Sequence, residues 1–363
     1  MRIVHVSDCY APRTGGIESQ VRDLARNQAA AGHEVHVLTA TPGEAGNDDG
    51  VQVHRLGTRL PFDLPVNPAA PPRMRALLKA LEPDVVHVHA GVVSPFAYDG
   101  ARVALTSAVP LAITWHCMLD GAVGTLRAVV RASRWRKAPI ALSAVSRAAA
   151  ARVEAAFGAP VAVLPNGLDL DVWAPAAATP STTLRCVATM RLAPRKRGMA
   201  LIGIVEDALT QLETAELSLE LIGDGPLRGR VERRIARRGL AGITLRGRLD
   251  RAQIRRSYAE ADVFVAPAVL EAFGIAALEA RAAGLAVVAR RGTGIEEFIT
   301  DGVDGLLVDD DAGMARALVR LATDPELVAS LTRHARAHRP VHGWCMTLDA
   351  AEAEYHRAQR LRA

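Results

Sequence analysis

Apolar residues along this chain gather into short runs separated by longer stretches with helical spacing. Ile3–Val6, Val35–Leu38, Val51–Leu56, Asp84–His89, Leu111–Trp115 and Ala141–Val145 read as strands, because short apolar runs bounded by turn residues suit strands buried on both faces. Between the first two, Ile17–Ala31 places Ile17, Val21, Leu24 and Ala25 on one helical face and ends at Gly32, where a left-handed terminator belongs. Met74–Leu81 and Arg147–Phe157 also read as helices, Gly43–Gly50 as a Gly- and Asp-rich loop, and Gly57–Pro72 as a long Pro-rich loop. Val161–Pro165 leads into a turn at Asn166–Asp169.

The composition then shifts to Ala, Pro and Thr over Ala174–Thr183, as in an interdomain linker. A second strand series follows at Leu184–Thr189, Leu217–Ile222, Ile243–Leu245, Val263–Ala266, Ala286–Ala289 and Gly305–Val308. The region Ala312–Arg339 and a final helix, Asp349–Leu361, close the chain. Strand–helix alternation on this scale predicts an α/β protein with one doubly wound parallel sheet after another. A length of 363 residues also suits two cores better than one. The predicted domains are 1–173 and 174–340, with 341–363 as a C-terminal helical segment.

Half the residues are hydrophobic and 23% are charged, a globular composition. No run of apolar residues is long enough to span a bilayer, and MRIVHVSDCY turns polar too soon for a secretory leader. The four cysteines are scattered without CxxC or zinc spacing, which predicts reduced thiols and a cytoplasmic setting. A net charge of +5 suits an anionic ligand or surface. The charge is dispersed and only 4% of residues are aromatic, which argues against a nucleic-acid partner.

Candidate chemistry concentrates in Ala261–Val308, read as a strand, a Pro-containing turn, a helix from about Gly274 and another strand. Glu271 and Glu279 bracket the helix start, and eight helical residues would separate them by about 12 Å. That is near the span from a sugar ring across a diphosphate to a ribose. The N–H groups of Phe273, Gly274 and Ile275 would lie at the positive end of the helix and suit phosphate. An ordinary αβ unit with two surface glutamates fits the same spacing. Arg191 and Lys196 leave the first strand of this half, and two cations with a helix N-terminus can neutralise a diphosphate without a metal.

In the first half, Arg13–Gly16 joins strand to helix, with paired glycines that could bring backbone N–H groups to a ligand or form a plain tight turn. His116 sits at the C-terminal end of a strand, the edge where parallel sheets bind ligands. His87 and His89 share a strand face, and sheet-end packing explains them better than a metal with no third ligand nearby. The segment Gly124–Lys137 carries Arg127, Arg131, Arg134, Arg136 and Lys137 beside Leu126, Val129, Val130 and Trp135. It reads either as an interfacial helix for an anionic membrane or as a core-facing helix with solvated arginines. The Gly223–Pro226 loop spaces its third glycine, Gly229, one position too late for a dinucleotide fingerprint.

Taken in order, the Gly15-Gly16 loop, His116, the NGLD turn at Asn166–Asp169, RLAPRK at Arg191–Lys196, GDGP at Gly223–Pro226 and EAFGIAALE at Glu271–Glu279 resemble the family 4 retaining glycosyltransferases over essentially the full chain. The last is the family's E-x7-E signature. Several segments, among them RLAPRKRGM and the basic run before Ala138, look most like bacterial phosphatidylinositol mannosyltransferases. The resemblance implies the GT-B fold: two Rossmann-like doubly wound parallel-sheet domains facing a cleft. The N-terminal domain would bind the acceptor and the C-terminal domain the nucleotide-sugar, and the last helix would pack back on the N-terminal domain.

It implies that Glu271 holds the donor sugar, Glu279 the ribose, and Arg191 and Lys196 the diphosphate, assisted by Gly15, Gly16 and the N–H groups at Phe273, Gly274 and Ile275. His116 would sit beside the transferred sugar. The family has Gly directly after its Lys, whereas this chain has Arg197 before Gly198, so either Lys196 or Arg197 takes the phosphate. The implied reaction is retaining transfer of a hexose, mannose first, from GDP-mannose, or from UDP-glucose or UDP-N-acetylglucosamine, to a lipid or small-molecule acceptor. No cofactor or metal is expected to be required, and the expected location is cytoplasmic, peripheral on the inner face of the membrane. A non-catalytic nucleotide-binding scaffold of the same fold is the alternative.

Overall fold

The computed structural model describes residues 1–363 except 14, 58–66, 68, 120, 177–180 and 214–215, and the backbone but not the side chain of Arg134. Parts of the Arg13–Gly16 turn, the Gly57–Pro72 loop and the Ala174–Thr183 linker therefore lie outside the described residues. The chain divides into two compact units, residues 1–167 with 342–363, and residues 168–341. The second begins six residues earlier than composition predicts. Trp173 is buried and its ring lies 5.6 Å from that of Tyr258, so the stretch before the linker belongs to the second core.

Unit 1 holds an eight-stranded sheet. Its strands are β1 (Arg2–Ser7), β2 (Glu34–Thr39), β3 (Gly46–Asp48), β4 (Val51–Arg55), β5 (Val85–Ala90), β6 (Leu111–Trp115), β7 (Ile140–Ala144) and β8 (Ala162–Val163), in spatial order β3-β4-β2-β1-β5-β6-β7-β8. Every pairing is parallel except β3 with β4. The helices are α1 (Gly16–Ala30), α2 (Ala70–Leu81), α3 (Pro95–Thr106), α4 (Val123–Ala132), α5 (Arg147–Phe157) and, from the end of the chain, α12 (Trp344–Arg362). α12 buries Ala351, Tyr355 and Ala358 with Ile3, Val85, Ala112 and Ala141, sealing one face of the sheet.

One element of unit 1 escapes the hydrophobic pattern, and another has its start fixed by a cap from a distant residue. β3 is polar (Gly46, Asn47, Asp48) and forms because Asp48 accepts from the Arg22 and Arg26 guanidinium groups and from the Tyr10 hydroxyl. α3 begins with Pro95 at its first turn, and its N-terminus is closed by Asp8, whose Oδ1 accepts from the Phe96 N–H at 3.0 Å. Burial raises the Asp8 carboxyl to about 6.

Unit 2 is a six-stranded parallel sheet of β9 (Thr183–Thr189), β10 (Glu216–Ile222), β11 (Ile243–Gly247), β12 (Val263–Ala266), β13 (Ala286–Arg290) and β14 (Gly305–Val308), in order β11-β10-β9-β12-β13-β14. Helices α6 (Gly198–Gln211), α7 (Arg228–Arg238), α8 (Arg251–Ala259), α9 (Ile275–Ala282), α10 (Asp311–Thr323) and α11 (Pro325–Ala337) connect and cover it. The burial pattern explains the apolar runs: Leu217, Leu219, Leu221, Val263, Val265, Ala286 and Val288 pack against α6 and α10 in one cluster. Strand order reverses between β9 and β12 here, and between β1 and β5 in unit 1. In open parallel sheets, the crevice at the C-terminal ends of such strands is where ligands bind.

Candidate active site

The reversal in unit 2 brings together residues far apart in sequence. β9 runs into Arg191–Lys196, and β12 runs into the turn that carries Glu271 and opens α9. Lys196 Nζ donates to Glu271 Oε2 at 2.5 Å. Glu271 lies against Gly274, since a Cβ built on that glycine would stand 3.5 Å from Glu271 Cγ. Gly274 is the N-cap of α9 at φ 91°, ψ 55°, and no side chain caps the helix. That left-handed backbone favours glycine, and a Cβ there would also meet Ile295 Cγ1 at 2.6 Å. The first N–H groups of α9, from Ile275 onward, have no preceding turn to accept them. A lysine ammonium, a carboxylate and an open helix N-terminus thus converge.

Glu271 and Glu279 do not sit at opposite ends of eight helical residues. Residues before Ile275 are not helical, so only about one helical turn separates the α9 start from Glu279, and the two carboxylates are set apart by a turn plus a helical turn rather than by helix alone. Glu279 is half-buried one turn into the helix, and its charge helps hold the buried Tyr258 phenol far above its ordinary range after burial itself. Phe273 turns its side chain inward against Phe298, with ring centroids 5.5 Å apart, so its backbone is what it presents at the helix start. Arg191 is exposed, and among the described residues its side chain has no hydrogen-bond or ion-pair partner.

Arg197 is already engaged: its guanidinium makes two parallel bonds to Asp311, both 2.8 Å, and a third to the Pro267 carbonyl at 3.2 Å. Arg290 reaches the same carboxylate at 3.0 Å. Arg197 adopts φ 59°, ψ 30°, the left-handed region, as N-cap of α6. A glycine at this position would cost nothing in backbone strain, and the arginine here is instead tied down by Asp311. Lys196, which faces Glu271, is the cation left at the α9 start.

The GDGP loop follows β10, one strand away from the reversal. A Cβ on Gly223 would lie 1.8 Å from the Met190 carbonyl oxygen, and one on Gly225 would lie 2.6 Å from that of Leu192. Leu192 N–H donates to the Asp224 carbonyl, and Leu227 N–H to the Leu192 carbonyl. These glycines let two loops pack backbone to backbone, and so hold Arg191 in place.

Sequence reasoning missed Arg281. Its guanidinium is buried, pairs with Asp304 at 3.0 Å and donates to the Ala335 and His338 carbonyls. It bolts α9, and with it Glu279 and the helix start, to the far end of α11. The only signal in the sequence is an arginine on an otherwise apolar helix face.

In unit 1 the reversal lies between β1 and β5. β1 leads to Gly15 and Gly16 at the start of α1, and β6, next to β5, delivers His116. Gly15 is extended, and the Glu18 carboxylate folds over it, 2.2 Å from where a Cβ would be. His116 is partly exposed, with Nε2 3.0 Å from His89 Nδ1, and desolvation lowers it to about 4. His5, His87 and His89 hold ring nitrogens within 4.8 Å of one another. All of those nitrogens have hydrogen-bond partners: Gln28 and His89 for His5, Tyr355 and Thr114 for His87, His5 and His116 for His89.

The basic segment breaks in two, α4 and a short 3-10 turn over Arg134–Lys137, because Ser133 leaves the helix and caps the turn. Only Val130 of α4 is buried, and Val129 is exposed among Arg127 and Arg131.

Residues 14–172 match the family model described as Glycosyltransferase Family 4, and residues 182–324 match that described as Glycosyl transferases group 1. The chain belongs to the family 4 glycosyltransferases. It is 28% identical over 368 residues to the phosphatidyl-myo-inositol mannosyltransferase of Mycolicibacterium smegmatis, covering 97% of this chain and 92% of that one. It is 29% identical over 349 residues to the GDP-mannose-dependent alpha-(1-6)-phosphatidylinositol dimannoside mannosyltransferase of Mycobacterium tuberculosis, covering 90% and 89%. Among solved structures, Anabaena HepE in complex with UDP is similar with a TM-score of 0.75 at 20% identity, over 97% of this chain and 99% of that chain. The glycosyltransferase therefore has the GT-B fold, with two parallel-sheet α/β domains as the motifs imply. Among its described residues no helix is long and apolar enough to cross a membrane.

Proposed function

We propose that this glycosyltransferase carries out retaining transfer of a hexose from a nucleoside-diphosphate sugar to a lipid acceptor, with GDP-mannose as the donor. The observation that carries the reading is the meeting of Lys196, Glu271 and the uncapped start of α9 at the strand-order reversal of unit 2. Lys196, Arg191 and the N–H groups of Gly274 and Ile275 take the diphosphate, Glu271 the sugar hydroxyls and Glu279 the ribose. Positive charge at the leaving group is what the reaction needs most, because the diphosphate gains charge as the glycosidic bond breaks. The acceptor hydroxyl attacks from the face the leaving group departs from, and the departing oxygen takes its proton. Arginine and lysine supply the charge, so no metal is required for this step. His116 lies beside the transferred sugar.

Both curated relatives are named as mannosyltransferases acting on phosphatidylinositol-type lipids, which favours a mannose donor and a lipid acceptor together. HepE, the structural neighbour, holds UDP, so UDP-glucose and UDP-N-acetylglucosamine are the rival donors. The exposed Val129 among the arginines of α4 gives the lipid reading a physical basis, since a basic face with an apolar edge binds anionic bilayers. Peripheral attachment at the inner membrane face follows from it.

A thermal-shift panel with GDP, UDP, ADP, GDP-mannose and UDP-sugars, with and without magnesium, tests the donor. A ligand at a hundred times its dissociation constant stabilises by about 2.7 kcal/mol. A shift with guanine nucleotides that disappears in Glu279→Ala is expected. A shift with uridine nucleotides alone replaces the donor, no shift with any nucleotide removes the nucleotide site, and a shift without turnover leaves the non-catalytic nucleotide-binding scaffold. Sedimentation with vesicles of stated anionic content tests the membrane, and salt-insensitive or absent binding removes it.

A further inference from the structure

The polar interior of unit 1 contains one continuous line of hydrogen bonds, and its direction follows from the Gln28 amide at its middle. Ser143 Oγ donates to the Ile113 carbonyl at 3.3 Å, an oxygen that can only accept. With its proton used there, Ser143 accepts from the Thr114 hydroxyl at 2.8 Å. Thr114 in turn accepts from His87 Nε2 at 2.7 Å. A neutral imidazole has one N–H and one bare nitrogen, so His87 Nδ1 accepts from the Tyr355 hydroxyl at 2.9 Å.

Tyr355 then accepts from the Gln28 amide nitrogen at 2.8 Å, which turns Gln28 Oε1 toward His5 Nε2 at 2.7 Å. His5 must therefore donate from Nε2 and accept at Nδ1 from His89 Nε2, 2.9 Å away. His89 accepts at Nδ1 from His116 Nε2 at 3.0 Å. The Gln28 amide fixes the direction, because its Oε1 can only accept and faces His5 Nε2 while its Nε2 donates to Tyr355; the Ser143 bond to the Ile113 carbonyl, an oxygen that also accepts in the β6–β7 ladder, agrees with it. Burial keeps all four rings neutral, with His5 and His116 lowered to about 4 and His87 and His89 far below their ordinary value.

We propose that this line is a tautomer lock that holds His116 as the Nε2–H form and presents a bare Nδ1 at the C-terminal end of β6. Nδ1 has no partner among the described residues, and the ring is partly exposed. His116 so held accepts a hydrogen bond from a hydroxyl of the bound sugar and cannot donate one to it. Gln28, His5, His89, His87 and Tyr355 are positioning residues that act through His116. The lock explains why α12 returns to unit 1 with a buried tyrosine: Tyr355 joins the two halves of the line. The tautomer assignment is independent of function, while its use in catalysis rests on the proposed place of His116 beside the sugar.

Nitrogen-15 NMR of histidine-labelled protein at pH 7.5 tests the lock directly in the wild type, because two-bond proton couplings distinguish the bare from the protonated ring nitrogen. The expected result is an unprotonated His116 Nδ1 and a protonated Nε2, and the opposite tautomer overturns the proposal. In Tyr355→Phe and in Gln28→Met the line is cut, and His116 should populate both forms, whereas Gln28→Glu keeps the acceptor for His5 and should keep the wild-type tautomer. A half-populated competent tautomer weakens apparent donor affinity about twofold, read as a rise of the same size in donor KM. If both cut variants fold and retain the pure wild-type tautomer, the lock is refuted. His116→Ala with wild-type turnover would instead refute the catalytic use of His116 while the NMR result stands by itself.

Discussion

Lys196→Ala and Arg197→Gly, compared side by side, decide which cation serves the diphosphate. In Arg197→Gly two effects oppose each other. The left-handed backbone at φ 59° costs a non-glycine residue about 1–2 kcal/mol, which glycine recovers in the folded state. Against this stand the two 2.8 Å bonds to Asp311, a partly exposed pair of the kind worth about 1 kcal/mol or less, and the greater unfolded-state entropy of glycine, about 0.5–1 kcal/mol. Arg290 remains to hold Asp311, so no carboxylate is stranded. The stability of Arg197→Gly should therefore stay within about 1 kcal/mol of wild type by this sum, read from its melting point.

Its turnover should also survive, because the Arg197 side chain is committed to Asp311 and the Pro267 carbonyl. Lys196→Ala removes the ammonium beside Glu271 and should lose about 2–4 kcal/mol of transition-state stabilisation, the scale for one preorganised donor. That is roughly 30- to 1,000-fold in kcat/KM, measured by release of nucleoside diphosphate from the donor. If Arg197→Gly loses as much activity as Lys196→Ala while remaining folded, the assignment is wrong and Arg197 leaves Asp311 to bind phosphate.

Gly223→Ala should destabilise unit 2 by about 3 kcal/mol or more, read by denaturant titration, since the new Cβ falls 1.8 Å from the Met190 carbonyl at φ 136°; a neutral result would mean the two loops are not packed. Arg281→Ala should cost about 3–5 kcal/mol, because Asp304 is left buried without its partner, and calorimetry showing a loss below 1 kcal/mol would contradict it. The histidine cluster makes unit 1 acid-sensitive: folded His5 titrates near 4 against 6.5 when exposed, so the unfolded chain binds the proton first and stability falls as pH drops from 6.5 to 4. The scale is about 3 kcal/mol for a fully buried histidine. Asp8, raised to about 6, works in the opposite sense below that pH; a melting point that rises on acidification from pH 7 to 5 would show that Asp8 outweighs the histidines.

The alternation of apolar strands and amphipathic helices was legible in the residues because parallel strands buried on both faces need unbroken apolar runs. Leu111–Trp115, Val263–Ala266 and Gly305–Val308 match the observed strands residue for residue. The ordered motifs from Gly15 to Glu279 were equally legible and pointed to the family. The polar strand β3 was not, because it depends on arginines from α1 and has no periodicity of its own, whereas α3 buries Phe96, Ala97, Gly100, Ala101 and Ala104 at helical spacing and has its start fixed by the Asp8 cap. Spacing placed the helix start near Gly274 but could not show the left-handed backbone that Gly274 adopts there.

Other decisions belong to tertiary structure alone. Strand order places Lys196 beside Glu271 across 75 positions of sequence. Asp311, over a hundred residues away, takes Arg197 out of contention. His5, His89 and His116 meet because β1, β5 and β6 are neighbours, and Tyr355 reaches them only because the last helix folds back. Hydrogen-bond direction, like ion-pair choice, depends on what lies within about 3 Å in space, and a linear pattern carries no record of that.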